Sequence, residues 1–289
     1  MFTLENDNLK VTISAKGAEL QSIYNKHTKL EYLWSGDPKF WAKKSPVLFP
    51  IVGELKNNNY NYNGKTYQMG RHGFARDMEF EVTEQTATSI TFTIKDNAET
   101  LTKYPFHFKF SVKYAVNLNN VITDYIVENT GKEVMYFSVG GHPAFSVPVA
   151  ADTSFEDYYL QFSETENAGR WPLSSNGLIE TTPEPFLENT DHLALQKSLF
   201  YSDALVFKNL TSHFITIKSN KTAHGVSMYY RGFPYTGIWS YKNADFVCIE
   251  PWCGIADNVD ATGELQNKEG INTLQPSEVF TRSWQAEVF

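Results

Sequence analysis

Only two cysteines, Cys248 and Cys253, occur in the 289 residues. A single disulfide is possible but is not expected in a reducing cytosol, and two thiols without a second pair make no cysteine-built zinc site. Positive charge is also scarce: 25 Lys and Arg face 33 Asp and Glu, a net charge of −8, with no basic block. Nucleic acid and anionic membrane surfaces are poor partners for such a chain. No apolar run approaches the roughly 20 residues that span a bilayer. Residues 1–7 lack a basic stretch leading into an apolar one, so the chain reads as cytoplasmic. Missing too are G-x-x-x-x-G-K-[ST], G-x-G-x-x-G and H-E-x-x-H, which removes phosphate-cradling loops and a helical zinc pair. No metal and no cofactor are expected. Repeats, linkers and low-complexity segments are absent as well, and residues 1–289 read as a single domain.

Aromatic residues and alternation are what the chain has in quantity. Aromatics make up 15% of it, a share that suits half-buried strands and sugar-stacking surfaces. Phe106, Phe108, Phe110, Val112, Tyr114 and Val116 share one face of a strand, with His107, Lys109, Ser111 and Lys113 on the other. His107 therefore belongs to a polar face and is no catalytic candidate. Period two recurs at Ile90, Phe92 and Ile94, at Val226, Met228 and Tyr230, and from Phe280 through Val288. Asn63-Gly64 marks a hairpin turn. Pro46 and Pro50 exclude a regular central strand over residues 45–53. Residues 163–197, with Pro172, Pro183 and Pro185, pattern poorly and are expected to form a long excursion over a cleft. Helical signals are few, and residues 98–101 read as one turn. Many short strands without a βαβ rhythm predict an all-β fold, one large antiparallel β-sandwich.

Three stretches carry chemistry-bearing residues. In Gly140-Gly141-His142-Pro143-Ala144-Phe145 a histidine sits between two glycines and a proline. The missing Cβ atoms let another group come close to the imidazole, and the proline stiffens the backbone behind it. In Ile249-Glu250-Pro251-Trp252 a glutamate ends an apolar strand, where burial disfavours its charge and raises its pKa towards that of a useful base. Arg71-His72-Gly73-Phe74-Ala75-Arg76 gathers cations and a second histidine in a loop, a suitable anchor for a polar ligand. A glutamate and a histidine at stiffened strand ends can move protons at two points of one small substrate.

In this order and spacing the three motifs resemble the aldose 1-epimerase (galactose mutarotase-like) family, and its LacX-like branch most. The resemblance runs from about residue 4 to the C-terminus. It implies a supersandwich of antiparallel strands and exchange between the anomers of an aldose. By it Glu250 is the base at the C1 hydroxyl, His142 the acid at the ring oxygen, and His72 a sugar-binding residue. Asp203, Arg71 and Arg76 carry over as further substrate-binding residues. One departure stands out. The Asn-Arg pair found in well-characterised galactose mutarotases upstream of the first histidine is replaced by Ser45-Pro46-Val47-Leu48-Phe49-Pro50. Two other readings stay open: a hexose-6-phosphate 1-epimerase using Arg71, Arg76, Lys43 and Lys44, and a non-catalytic carbohydrate-binding protein. The partner is then a small sugar, and the assembly a monomer or homodimer.

Overall fold

In the computed structural model, which describes residues 1–289, the alternating stretches become strands, and all strand pairs within the sheets are antiparallel. Phe108–Asn117 lies between Ser89–Lys95 and Asn120–Asn129, with Phe110 opposite Val127 and Val112 opposite Tyr125. Val279–Val288 follows Asn120–Asn129, and Trp284 faces Thr123. These are the centre of a nine-stranded sheet whose far edge is Tyr158–Arg170 and Glu184–Ala194. Six strands form a second sheet: Leu205–Lys208, Tyr235–Trp239, Phe246–Cys253, Val139–Gly141, Val47–Leu48 and, beside Phe246–Cys253, Ala144–Ser146. A four-stranded N-terminal sheet and two hairpin-sized pairs complete the architecture. Phe110, Tyr125 and Trp284 from the large sheet share one hydrophobic cluster with Val247, Ile249 and Cys253 from the smaller. That sandwich core explains the period-two pattern: the central strands of the large sheet bury their apolar face against the other sheet. No helix is long and apolar enough to cross a membrane.

Several expectations change. Residues 163–197 are not a structureless excursion. Tyr158–Arg170 continues eight residues beyond its apolar start and pairs with Glu184–Ala194 through several register shifts. Only the connection between them, with Leu173, Gly177 and Ile179, reaches the cavity described below. Residues 98–101 extend to a short helix, Ala98–Lys103, because Asn97 and Thr100 cap its start reciprocally. Glu250 does not end its strand: Phe246–Cys253 runs on through Pro251. The proline-flanked segment does avoid a central position, contributing just Val47–Leu48 at a sheet edge. Cys248 and Cys253 are free and buried. Five residues apart on one strand, they face opposite sides of it and cannot join.

Candidate active site

An interruption in one β-ladder makes the floor of the site. Ala144, Phe145 and Ser146 pair with Cys248, Val247 and Phe246, whereas Val139 and Gly140 pair with Cys253 and Trp252. Between these two pairings the chain bends away, so Ile249, Glu250 and Pro251 have no partner on that side. A proline is tolerated mid-strand where no ladder donor is called for. His142 sits in the bend, and its Nε2 lies 3.3 Å from Glu250 Oε2. Alternation does the rest: Val247, Ile249 and Cys253 enter the main core, while Phe246, Cys248 and Trp252 take the opposite face. Glu250 shares that second face.

The glycines before His142 serve a different neighbour from the one the sequence implied. A Cβ at Gly140 would stand 2.8 Å from Trp252 Cδ1, and one at Gly141 2.8 Å from the Tyr125 hydroxyl. They let the His142 strand press against packed aromatics, including the buried Trp284 whose indole N–H donates to Tyr125 at 2.9 Å. The imidazole itself is bordered by rings. Trp41 stacks on it with centroids 4.9 Å apart, and Trp239 meets it edge-on at 5.5 Å.

His72 occupies a left-handed turn, φ 67°, followed by Gly73 at φ 72°. A Cβ at Gly73 would lie 2.3 Å from the Phe49 carbonyl oxygen, so only glycine closes this turn. The Gly53 N–H donates to His72 Nδ1 at 3.1 Å. The neutral ring therefore carries its proton on Nε2, as a donor. Arg71 Nε donates to Glu54 at 2.7 Å, and Arg76 Nη2 donates to the Arg71 carbonyl at 2.9 Å. Asp203, at φ 96°, stands two residues ahead of Leu205–Lys208. Behind the wall, buried Lys268 donates to the Ile255 carbonyl at 2.6 Å and to Asp257 at 2.8 Å. The Asp257 N–H in turn donates to the Glu54 carbonyl at 2.8 Å, which ties the Arg71–Glu54 pair to a fixed loop.

All six residues singled out from the sequence, Glu250, His142, His72, Arg71, Arg76 and Asp203, line one cavity of about 260 Å³. Lys43 and Lys44 do not line it. Glu54, Trp41, Trp239 and Tyr241 line it without having been singled out. Trp239 and Tyr241 offered a signal in their period-two spacing; Glu54 had none, because its role depends on an arginine 17 residues away.

Burial sets the electrostatics. It pushes the Glu250 carboxyl well above the usual range, the Asp203 charge adds to this, and Trp252 and Arg71 oppose it. The same burial, helped by the Arg76 and Arg71 cations, pulls His142 down to about 3. His72 is held well below the ordinary value by burial first, then by His142 and the two arginines. Both imidazoles are neutral at pH 7. Glu250 Oε2, although buried, makes no hydrogen bond. The arrangement is a proton donor–acceptor pair under an aromatic wall, with polar groups converging from three loops.

Fold and site together define a sandwich of the galactose mutarotase-like kind, built around a buried glutamate–histidine pair. The family described as Aldose 1-epimerase matches residues 1–270, and the chain belongs to it. Protein LacX (chromosomal) of Lactococcus lactis subsp. lactis is 36% identical over 296 residues, covering 99% of this chain and 98% of that protein. Among solved structures, a galactose mutarotase related enzyme from Lactobacillus acidophilus superposes with a TM-score of 0.94 at 40% identity, covering 100% of this chain and 97% of that one. A galactose mutarotase-like protein from Lactobacillus casei has a TM-score of 0.94 at 33% identity, with both chains covered in full, 100%. The chain is an enzyme of the isomerase class, an epimerase.

Proposed function

We propose that the protein is an aldose 1-epimerase that interconverts the α and β anomers of a free hexose such as galactose or glucose, in the cytoplasm. The Glu250–His142 pair carries this reading, with 3.3 Å between its facing atoms on the wall of a cavity of about 260 Å³. Small-ligand pockets usually run from about 300 to 1,000 Å³, so this one suits a single sugar ring. In the reaction Glu250 takes the proton of the C1 hydroxyl. The bond from C1 to the ring oxygen breaks, its electron pair stays on that oxygen, and His142 protonates it. The open aldehyde turns about C1–C2 and recloses on the other face as both transfers reverse. His72 presents its Nε2 proton to a sugar hydroxyl, Asp203 and Arg71 hold others, and Trp41, Trp239 and Tyr241 stack on the ring.

The burial of the pair fits this chemistry. One transferable proton is shared, and the two buried groups titrate as a unit. Before ring opening the pair is carboxylate plus imidazolium; afterwards it is carboxylic acid plus neutral imidazole. Desolvation disfavours both charges of the first state, so that state forms from the resting pair only when its proton passes from Glu250 to His142, and ring opening returns the pair to the neutral form. In the empty site, Glu250 raised and His142 lowered describe the second state.

Charge at the mouth favours an unphosphorylated sugar. Arg71 is bonded to Glu54 and Arg76 to the Arg71 carbonyl. Asp77 lies 3.9 Å from Arg76 and 4.0 Å from Lys43, and Lys44 donates to the Gln21 carbonyl at 2.9 Å. A 6-phosphate would have to draw Arg71 off Glu54, giving up one charge-assisted bond to make another. A protein that only bound sugars would have no need of a matched acid and base. The test is anomer exchange, followed by polarimetry or NMR, on glucose, galactose and glucose 6-phosphate, with Glu250→Gln as control. Acceleration on a free hexose, lost in the variant, is the expected result. Acceleration confined to the phosphate would overturn the substrate assignment, and none with any sugar would overturn the activity.

A further inference from the structure

Cys248 has no part in the proposed proton transfers, yet it precedes Glu250 by two residues on the same face of Phe246–Cys253. Its sulfur, a ring nitrogen of His142 and a carboxylate oxygen of Glu250 all lie within 4.8 Å of one another, and all three residues are buried. We propose that these side chains form an inhibitory binding site for a thiophilic divalent cation of the Zn²⁺ class, which locks the acid–base pair by ligating both members.

The spacing is what such an ion requires. Zinc bonds of about 2.0–2.1 Å to nitrogen and oxygen, at a tetrahedral angle, set those two atoms about 3.3–3.4 Å apart. His142 Nε2 and Glu250 Oε2 are 3.3 Å apart. A thiolate at about 2.3 Å from the ion would sit about 3.6 Å from each of them. The sulfur lies within 4.8 Å of a His142 ring nitrogen and of a Glu250 carboxylate oxygen, so at most about 1.2 Å separates it from that spacing. Glu250 Oε2, the oxygen facing His142, is a buried acceptor without a hydrogen bond, so ligation satisfies it. Sulfur, imidazole and carboxylate together select zinc-like ions over Mg²⁺ and Ca²⁺, which prefer all-oxygen sets. Three protein ligands leave a fourth position, and the cavity beside His142 and Glu250 can supply water to it. Binding releases the thiol proton, and the carboxyl proton where Glu250 carries one, and no oxidation is involved.

Cys248 also packs with Trp34, Ala144 and Phe246, which by itself is the ordinary behaviour of a buried cysteine. Two readouts separate that role from ligation. Binding stands independently of the epimerase reading; only the inhibition rests on it. Purified full-length protein is titrated with Co²⁺ in place of Zn²⁺, and wild type is compared with Cys248→Ser, which keeps Cys253. A near-ultraviolet sulfur-to-cobalt charge-transfer band is expected in wild type and lost in the variant. In parallel, Zn²⁺ is titrated into the anomer-exchange assay. Half-inhibition is expected to need roughly 100-fold more Zn²⁺ in Cys248→Ser, since even outer-shell changes cost about 10–100-fold in metal affinity. A wild-type protein with no cobalt–sulfur band, or equal zinc sensitivity in both proteins, overturns the site. If anomer exchange itself is absent, the cobalt spectrum still decides the binding.

Discussion

Replacing Glu250 by Gln should make the protein more stable while nearly abolishing its activity. Gln has the shape of Glu but cannot take a proton, so the loss in kcat/KM is that of a removed general base, about 10²–10⁴-fold, or roughly 3–5 kcal/mol. The stability change has the opposite sign. The carboxyl is raised well above its ordinary value in the folded protein, chiefly by burial. Below pH 4.5 the group is protonated whether folded or not, and the raised value costs nothing. Above that, the unfolded chain gains the free energy of ionisation and the folded one does not, so stability falls with pH until Glu250 itself ionises. At pH 7 the penalty is capped at about 3 kcal/mol, each unit above 4.5 being worth about 1.4 kcal/mol. Removing it should raise the Tm, by at most about 6 °C. The gain should shrink towards zero as pH approaches 4.5. His142, whose lowered value costs stability as pH falls below 6.5 towards about 3, is present in both proteins and largely cancels. Differential scanning fluorimetry from pH 4.5 to 7.5 reads the trend beside the polarimetric rate. A variant several degrees less stable at pH 7 would mean that the pair is ionised and structurally bonded, refuting the neutral-pair argument. An unchanged rate would refute the base.

Three further outcomes follow from the same geometry. The acid limb of kcat/KM, which reports the free enzyme, should lie well below pH 6.5, because a second proton joins the pair only near the lowered value of His142, about 3; a rate profile falling near 6.5 would contradict this. Gly177→Ala puts a Cβ 2.2 Å from Arg71 Nη2 at a φ of +73°, so KM should rise several-fold with kcat less affected, at a stability cost of about 1 kcal/mol for the left-handed residue. Steady-state kinetics and chemical denaturation check it. Gly141→Ala drives a methyl to 2.8 Å from the Tyr125 hydroxyl and 3.0 Å from Trp284 Nε1; overpacking there should cost about 1–3 kcal/mol and, by displacing His142, lower kcat. A variant with normal Tm and rate would show that this strand can shift freely.

Alternation was readable where a strand has one apolar, buried face and one polar face. Phe108, Phe110, Val112 and Tyr114 are all buried, and the sequence marks them plainly. It failed over residues 163–197 because Glu184–Ala194 is an edge strand with little burial on either face. There, hydrophobicity carries no period to read, and register shifts at Gln161/Glu166 and Ala168/Arg170 erase what remains. Pro185 falls at the second residue of that edge strand, a position where a missing ladder donor is harmless.

Glu250 shows the other limit. The proline after it reads as a strand end, since proline has no donor for a central ladder. The strand continues because its neighbour, not it, is the broken one: the bend at residues 141–143 removes the partner that Pro251 could not have bonded. One irregularity thus accommodates the other. That coupling joins residues more than 100 positions apart, so no local window contains it. The same gap is what admits His142 to within 3.3 Å of Glu250; a continuous ladder would fill the space with backbone hydrogen bonds and hold the two side chains apart. Each of the three motifs is bounded by glycine or proline for a related reason. Each sits at or beside an interruption in a regular element, and the interruptions meet at one cavity. The residue types were legible one motif at a time, whereas their convergence is a property of the sandwich that carries them.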